Sequence, residues 1–241
     1  INIYYKLGKL ILMRLINYIK RKRISITKSV NYILINNSKK LINYHFLYFS
    51  EPSHVNKSMF YKLFEKCENK PLNIFETGSS AWGTNSSLLF NNYVNKFGGR
   101  FVTVDVREQP SKFLEPFFKE NSEAHTDDSL NFIKTFDKKF FEELDIIYLD
   151  SFDVDLSNPT PSMEHGLEEF LLLDKLITKN TLIAIDDTPK DIKFFGEDVE
   201  KAKIGNRDLV PGKGALVIEE VRKNKNYEVI YHEYSIILKK L

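Results

Sequence analysis

The chain has 241 residues, of which 42% are hydrophobic and 28% charged, an ordinary balance for one globular α/β domain with an extension. Its net charge of only +2 argues against a protein that binds nucleic acid over its whole surface. The single cysteine, Cys67, excludes an intramolecular disulfide and is typical of a reducing compartment, so we expect a cytoplasmic protein.

The charge is distributed unevenly along the chain. Residues 1–50 hold ten Lys or Arg and no Asp or Glu, whereas residues 51–241 hold 25 basic and 33 acidic side chains. A short amphipathic helix is predicted by four apolar residues at helical spacing among the basic ones, Leu12, Leu15, Ile16 and Ile19. We therefore expect a basic helical extension, residues 1–50, followed by a domain, residues 51–241. The extension either caps the domain, which we favour, or contacts a membrane surface or a partner.

No segment of the sequence predicts a membrane-spanning helix or a secretory signal. No uncharged stretch approaches the roughly 18–20 residues that span a bilayer. The apolar run Leu10–Met13 is too short for a signal, and no small-residue cleavage site follows it. Any contact with a membrane is therefore expected to be peripheral and to use the basic extension.

From residue 51 onward, apolar periodicity predicts helices that alternate with short strands. The predicted strands are Leu72–Phe75, Phe101–Val106, Glu123–Thr126, Asp145–Leu149, Thr181–Ile185, Tyr227–Tyr231 and Tyr234–Leu238. The predicted helices are Met59–Cys67, Thr84–Phe97, Ser111–Lys119, Ser129–Phe136, Glu164–Ile177 and Gly214–Lys223. This alternation indicates an α/β fold with a mostly parallel sheet between two layers of helices, and the last two strands indicate an antiparallel hairpin.

The loop after the first strand reads Glu76-Thr77-Gly78-Ser79-Ser80-Ala81-Trp82-Gly83-Thr84. Gly78 and Gly83 have the spacing of a phosphate-binding loop, but Thr84 stands where that loop needs a lysine. The dinucleotide pattern G-x-G-x-x-G is also absent. An acid at the strand end suits a cationic ligand such as S-adenosylmethionine, and the glycines allow the backbone to approach that ligand closely. A capped turn with a solvated Glu76 is the plainer alternative.

Polar residues also follow the second and third strands. Asp105 comes 29 residues after Glu76, where a carboxylate can accept both hydroxyls of a ribose. Asp128 and Ser129 follow the third strand, where they would lie over the edge of an adenine. Capping of the next turn or helix explains each of these residues equally well, so the residues alone leave the choice open.

These stretches resemble the class I, Rossmann-like S-adenosylmethionine-dependent methyltransferases, and most closely a group of largely uncharacterised members. The resemblance covers residues 70–241 and rests on Glu76-Thr77-Gly78, Asp128-Ser129, Leu149-Asp150-Ser151-Phe152-Asp153, His165 with Glu169, Asp186-Asp187 and Gly212-Lys213-Gly214. It implies a seven-stranded sheet with a C-terminal antiparallel hairpin and S-adenosylmethionine as the cofactor. The implied cofactor-binding residues are Glu76, Gly78, Ser79, Ser80, Gly83, Asp105, Asp128 and Ser129. The commonest loop of the family has three closely spaced glycines, whereas Ser79 and Ser80 intervene here.

Candidate chemical groups follow the fourth and fifth strands. Asp150 and the pair Asp186-Asp187 are expected at the acceptor side of the site, with His165 near the start of the intervening helix. Because an oxygen or nitrogen acceptor can require removal of a proton, we predict catalytic roles for Asp150, His165 and Asp187. Alternatively, Asp150, Asp186 and Asp187 hold a divalent metal ion, as acids at these strand ends do in some small-molecule O-methyltransferases. Helix capping and loop ordering are the plainer roles.

The predicted function is methyl transfer from S-adenosylmethionine to an oxygen or nitrogen of a small molecule or sugar. The main alternative is a non-catalytic module that binds the cofactor and engages a partner or membrane through residues 1–50. A nucleic-acid methyltransferase is disfavoured because the domain is acidic and lacks an Asn/Asp-Pro-Pro-aromatic motif after the fourth strand. The missing glycine pattern disfavours a dinucleotide or nucleotide-sugar enzyme. The charged segment 189–213 is predicted to form a lid over the acceptor.

Overall fold

The computed structural model describes residue 25 and residues 27–67, 69–80, 83–200 and 209–241, with the side chains of 197–200 excepted. The amphipathic helix predicted at Leu12–Ile19, and with it the proposed membrane contact, lies outside these residues. The chain divides at residue 37, and Asn37–Leu241 forms one compact unit. That unit includes a helix at Ser38–Tyr48, so the domain begins before the expected boundary at residue 51.

Seven strands of the described chain form a single sheet. They are β1 Leu72–Thr77, β2 Gly99–Asp105, β3 Ser122–Thr126, β4 Ile146–Leu149, β5 Leu182–Ile185, β6 Tyr227–His232 and β7 Ile236–Lys240. Their order in the sheet is β3-β2-β1-β4-β5-β7-β6. The first five strands run parallel, and β7 is antiparallel to both β5 and β6. The predicted mostly parallel sheet with a C-terminal antiparallel hairpin is confirmed.

Eight α-helices in the described residues of Asn37–Leu241 flank this sheet. They are α1 Ser38–Tyr48, α2 Lys57–Glu65, α3 Ser86–Phe97, α4 Glu108–Leu114, α5 Ser129–Thr135, α6 Lys138–Glu142, α7 Thr160–Asp174 and α8 Ala215–Lys223. Two 3-10 segments, Glu115–Phe117 and Ile192–Glu200, complete the elements. None of the helices in the described part of the chain is both long and apolar enough to cross a membrane.

The central strands are buried on both faces because neighbouring residues of each strand pack against opposite helical layers. Phe75 of β1 belongs to a core with Phe170 of α7 and Val217 of α8. On the other face, the ring of Tyr148 in β4 lies 5.6 Å from the rings of both Phe60 and Phe90. The sheet edge where these strands end is thereby held between two packed layers.

A buried carboxylate ties the chain before α2 to this edge of the sheet. Asp186, directly after β5, is only 4% exposed. Its oxygens accept hydrogen bonds from three side chains: Asn56 at 2.7 and 2.8 Å, Tyr148 at 2.6 Å and Ser235 at 2.8 Å. A buried charge is tolerated only when donors surround it, so this carboxylate joins three distant parts of the chain.

Replacing Asn56 by Ala removes both hydrogen bonds that its side-chain amide donates to the Asp186 carboxylate. We expect the free energy of unfolding to fall by about 2–4 kcal/mol, because the buried carboxylate then loses hydrogen-bond donors and water does not replace them. Urea unfolding at neutral pH measures the loss. The control is Asn95→Ala on α3, where the half-buried amide donates only to the Asn91 side chain and a change below about 1 kcal/mol is expected. Equal losses in the two variants would contradict the structural role of Asp186.

Candidate active site

A cleft of about 400 Å³ opens at the carboxyl ends of β1, β2 and β4. It is lined by Gly78, Val104, Asp105, Val106, Arg107, Asp128, Ser129, Asp150, Ser151, Phe152, Asp153 and His165. The strand order reverses between β1 and β4, and open α/β sheets bind ligands in the crevice at that point. Six residues predicted from the sequence therefore share this cleft: Gly78, Asp105, Asp128, Ser129, Asp150 and His165.

The floor of the cleft requires a glycine at position 78. Gly78 has φ of +82°, and a Cβ there would lie 2.3 Å from the backbone oxygen of Asp150. No side chain fits that distance, so only glycine lets the loop after β1 lie beside the loop after β4. Ser80 and Gly83 also have positive φ values of 54° and 77°, which turn the same loop. Ala81 and Trp82, between them, lie outside the described residues.

Glu76 lies beneath this loop and is fully buried. Its Oε2 accepts hydrogen bonds from Ser87 at 2.5 Å and Thr103 at 2.7 Å, and the Thr103 hydroxyl also pairs with Ser79 at 2.7 Å. Oε1 has no hydrogen-bond partner among the described atoms. Burial raises the pKa of Glu76 to about 7, although the hydroxyls of Ser86, Ser87 and Thr103 act in the opposite direction. Glu76 thus lies behind the loop after β1 and does not itself line the cleft.

Asp105 ends β2 and already has a partner. Its carboxylate accepts hydrogen bonds from the backbone N of Arg107 at 2.8 Å and from the guanidinium Nε and Nη2 at 2.9 Å. The Asp105 side chain is 4% exposed and that of Arg107 is 61% exposed, so the guanidinium covers the carboxylate on its solvent side. A ligand hydroxyl reaches Asp105 only where it replaces this guanidinium.

Asp128 is the N-cap of α5. Its side chain accepts a hydrogen bond from the backbone N of Asn131 at 3.0 Å, which is the plainer of the two roles that the sequence left open. The neighbouring Asp127 accepts from the Asn131 amide at 2.9 and 3.1 Å. Asp128 nevertheless stands on the wall of the cleft, so capping and ligand contact are compatible there.

His165 joins the third-strand side of the cleft to α7. Its Nε2 lies 3.0 Å from the Ser129 hydroxyl and 3.3 Å from Oε1 of Glu169. The same Glu169 oxygen accepts a hydrogen bond from Ser151 at 2.7 Å. The Glu169 hydrogen bond raises the pKa of His165 and outweighs the opposing effect of burial. The imidazole is therefore held in place by a hydroxyl and a buried carboxylate.

Asp150 and Asp187 are bridged by a lysine. Nζ of Lys213 lies 2.5 Å from Oδ1 of Asp150 and 3.1 Å from Oδ2 of Asp187, and it also donates to the backbone oxygen of Asp150 at 3.1 Å. The other Asp187 oxygen accepts from the Tyr234 hydroxyl at 2.6 Å. Burial by itself would lower the pKa of Lys213, but the surrounding carboxylates outweigh it and raise that pKa, so the ammonium keeps its proton.

The carboxylates of Asp150, Asp186 and Asp187 are not arranged to bind the divalent metal ion that the sequence predicts there. The Asp186 oxygens are taken by the hydrogen bonds that tie the fold together, and the Lys213 ammonium lies between the other two carboxylates. Within residues 27–67, 69–80, 83–200 and 209–241, no cluster of three or more His, Cys, Asp or Glu is arranged to hold a metal. The structure does not support the predicted metal site.

The sequence reasoning assigned no role to Lys213 or Arg107. The signal for Lys213 was present in Gly212-Lys213-Gly214, because paired glycines often mark a close approach of backbone. The charged residues before it favour instead the lid predicted at 189–213. Its end is buried, with Lys213 3% exposed, and residues 201–208 of the lid lie outside the described chain. Arg107 carried no sequence signal, since its partner Asp105 was expected to face a ligand.

Comparisons with known proteins bear on the fold. No protein-family model matches the chain, and no curated protein matches its sequence. Its structure is similar to that of the O-methyltransferase TomG from Streptomyces achromogenes, with a TM-score of 0.51, 14% identity, and coverage of 90% of this chain and 96% of that one. The chain has the fold of the class I methyltransferases.

Two further solved structures agree with this fold. A putative caffeoyl-CoA O-methyltransferase from Staphylococcus aureus has a TM-score of 0.51 at 13% identity, with 91% of this chain and 98% of that one covered. A putative O-methyltransferase from Klebsiella pneumoniae has a TM-score of 0.50 at 12% identity, with 90% and 96% covered. Because these similarities span nearly the whole of each neighbour, the shared fold includes the edge of the sheet that carries the cleft.

The buried Glu76 makes stability depend on pH. Its pKa of about 7 in the folded chain exceeds the ordinary 4.5, so the folded chain holds a proton that the unfolded chain releases between those pH values. The contribution of Glu76 to the free energy of unfolding is therefore fully present below about pH 4.5 and is lost as the pH rises through about 7. We expect Glu76→Gln to be more stable than the wild type at pH 8, by a few kcal/mol, with a smaller difference at pH 5.

Urea unfolding at the two pH values, without added ligand, measures this difference. The matched control is Glu143→Gln, because Glu143 is an exposed glutamate whose side chain is 56% accessible. The control should differ from the wild type by the same small amount at both pH values. A Glu76→Gln difference that is constant with pH would show that the carboxylate does not titrate as described.

Proposed function

We propose that the chain is an S-adenosylmethionine-dependent methyltransferase that acts on an oxygen or nitrogen of a small molecule. The observation that carries the proposal is the cleft at the reversal point of a methyltransferase-type sheet, with Gly78 at its floor and Asp105 at its β2 side. The similar TomG structure was solved with S-adenosylmethionine, which supports the same cofactor here.

The charges of the site fit this cofactor. S-Adenosylmethionine carries an ammonium and a sulfonium, both positive, and one carboxylate. Two buried carboxylate oxygens of the described chain, Glu76 Oε1 and Asp150 Oδ2, have no hydrogen-bond partner. Such atoms are costly unless a ligand compensates them, and a cationic ligand does so better than a phosphate. When bound, the cofactor supplies the methyl group.

The rim of the cleft suits a flat aromatic base. Val106 is 73% exposed and Phe152 is 52% exposed, although both side chains are large and apolar. Phe152 also has φ of +57°, a strained value for an aromatic residue, and strain of this kind is concentrated at functional sites. The Phe152 ring centre lies 5.4 Å from that of His165. We assign adenine to this apolar rim and the ribose hydroxyls to Asp105.

Asp150 is the best-placed group to take a proton from the acceptor. It lines the cleft, and its Oδ2 is the carboxylate oxygen that Lys213 does not engage. Asp187 has one oxygen on Lys213 and the other on Tyr234, and His165 is held by Glu169, so both act on the position of their neighbours. Burial raises the pKa of Asp150, which makes it a stronger base once ionised, and Lys213 opposes that rise.

Calorimetric titration with S-adenosylhomocysteine tests the cofactor class. We expect saturable binding of one equivalent, weakened about 10- to 100-fold in Asp105→Asn, because the neutral amide accepts the ribose hydroxyls less well than a carboxylate. ATP and NADH should not bind, since the loop lacks their phosphate-binding residues. The matched control is Asp145→Asn at the opposite edge of the sheet, where the carboxylate accepts from the backbone of Asn73.

Unaltered affinity in Asp145→Asn together with a loss in Asp105→Asn locates the cofactor in the cleft. Absence of S-adenosylhomocysteine binding by a folded protein would contradict the proposal. Binding without turnover of any oxygen or nitrogen acceptor would favour the alternative, a non-catalytic module that retains the cofactor pocket.

A further inference from the structure

The Lys213 ammonium lies where a metal ion was expected from the sequence. It donates hydrogen bonds to the side-chain and backbone oxygens of Asp150 and forms an ion pair with Oδ2 of Asp187. The ammonium therefore bridges the residues that follow two neighbouring strands, β4 and β5. With only 4% of its side chain exposed, Lys213 belongs to the interior and not to a solvated surface.

Three glycines hold the lysine in this position. A Cβ on Gly212 would lie 2.3 Å from the backbone oxygen of Asp187, and one on Gly214 would lie 2.8 Å from Oγ1 of Thr188. On the other side, a Cβ on Gly166 of α7 would lie 2.3 Å from the backbone oxygen of Lys213 itself. The backbone N of Lys213 donates a hydrogen bond to the backbone oxygen of Asp187 at 3.0 Å. The chain around Lys213 is thus clamped between β5 and α7, and its placement is part of the fold.

We propose that Lys213 replaces a divalent metal ion in this active site, as a fixed internal cation that positions Asp150 and Asp187. The inference rests on the proposed methyltransferase function and specifies how its acceptor side works. Lys213 is a positioning residue, because its ammonium is buried against the carboxylates of Asp150 and Asp187 and does not line the cleft.

A divalent metal ion and the Lys213 ammonium would compete for the same carboxylate oxygens. A divalent cation would bind the same carboxylate oxygens at about 2.0–2.6 Å, inside the space that the ammonium fills. The lysine provides one positive charge against two carboxylates, which leaves the acceptor side negative and able to take up a proton. A metal site gains specificity by ligating acceptor oxygens directly, whereas a buried ammonium that does not line the cleft does not contact the acceptor. The acceptor therefore need not carry a pair of chelating oxygens.

The transfer balances without a metal. As the acceptor oxygen or nitrogen forms its bond to the methyl carbon, the carbon–sulfur bond breaks and its electron pair stays on sulfur. The acceptor proton passes to Oδ2 of Asp150. The positive charge lost from the sulfonium equals the proton gained by the carboxylate, and Lys213 remains protonated throughout.

Manganese binding, followed by electron paramagnetic resonance, tests this inference without knowledge of the acceptor. We expect wild-type protein to leave the signal of free Mn²⁺ unchanged at millimolar concentration. Lys213→Ala removes the ammonium and exposes the oxygens of Asp150 and Asp187, so it should bind one Mn²⁺ at least tenfold more tightly than the wild type. Lys213→Ala combined with Asp150→Asn should lose this binding. Lys213→Gln serves as the second variant if Lys213→Ala does not fold.

Two results would overturn the inference. One is a Mn²⁺ site in the wild type that Asp150→Asn or Asp187→Asn abolishes, since the lysine would then coexist with a metal. The other is a folded Lys213 variant that gains no Mn²⁺ affinity, since the ammonium would then not occupy a cation position. Binding of S-adenosylhomocysteine, measured on the same samples, separates these failures from a failure of the methyltransferase proposal.

Discussion

Three buried acids, Glu76, Asp150 and Asp186, meet at the carboxyl edge of one sheet beside the partly exposed Asp187, and the groups that compensate them shape the cleft. Glu76, Asp150, Asp186 and Asp187 follow or end β1, β4 and β5, which are neighbours in the sheet. Asp186 accepts hydrogen bonds from distant segments, and Asp150 and Asp187 share the Lys213 ammonium. Glu76 has hydroxyl donors on one oxygen only. The compensation that remains unmet points to a cationic ligand.

The acids at this edge have different surroundings. Asp150 and Asp187 are linked to Lys213, whereas Asp186 is held by hydrogen bonds that stabilise the fold. Asp186 and Asp187 are adjacent, yet Asp186 accepts a hydrogen bond from Tyr148 and Asp187 pairs with Lys213. The oxygens of Asp186 are therefore occupied within the fold, and the side chain of Asp187 is held in one orientation. Asp150 is the one of these acids that both lines the cleft and keeps a carboxylate oxygen without a partner. We therefore propose that three of the carboxylates serve structure and charge balance and that Asp150 takes part in the reaction.

The alternation of strands and helices was predictable because each element carries its own apolar period. The registers of individual residues were not. β1 extends through Thr77, so Glu76 lies in a strand and is buried, where the sequence suggested a loop residue. Helix α7 begins at Thr160 and not near Glu164, so His165 stands in its second turn, facing Ser129. The glycines beside Lys213 indicate a close approach of backbone, but its partner was not predictable, because the pairing with Asp150 spans 63 residues and no local pattern encodes it.

The most direct test of the account is a crystal structure of the chain with S-adenosylhomocysteine. We predict the ligand in the cleft beside Gly78, with its ribose hydroxyls on Asp105, the Arg107 guanidinium displaced, and its sulfur directed towards Asp150. Lys213 should still bridge Asp150 and Asp187. Ligand density elsewhere on the sheet, or an Arg107–Asp105 pair left intact beneath a bound ligand, would contradict it.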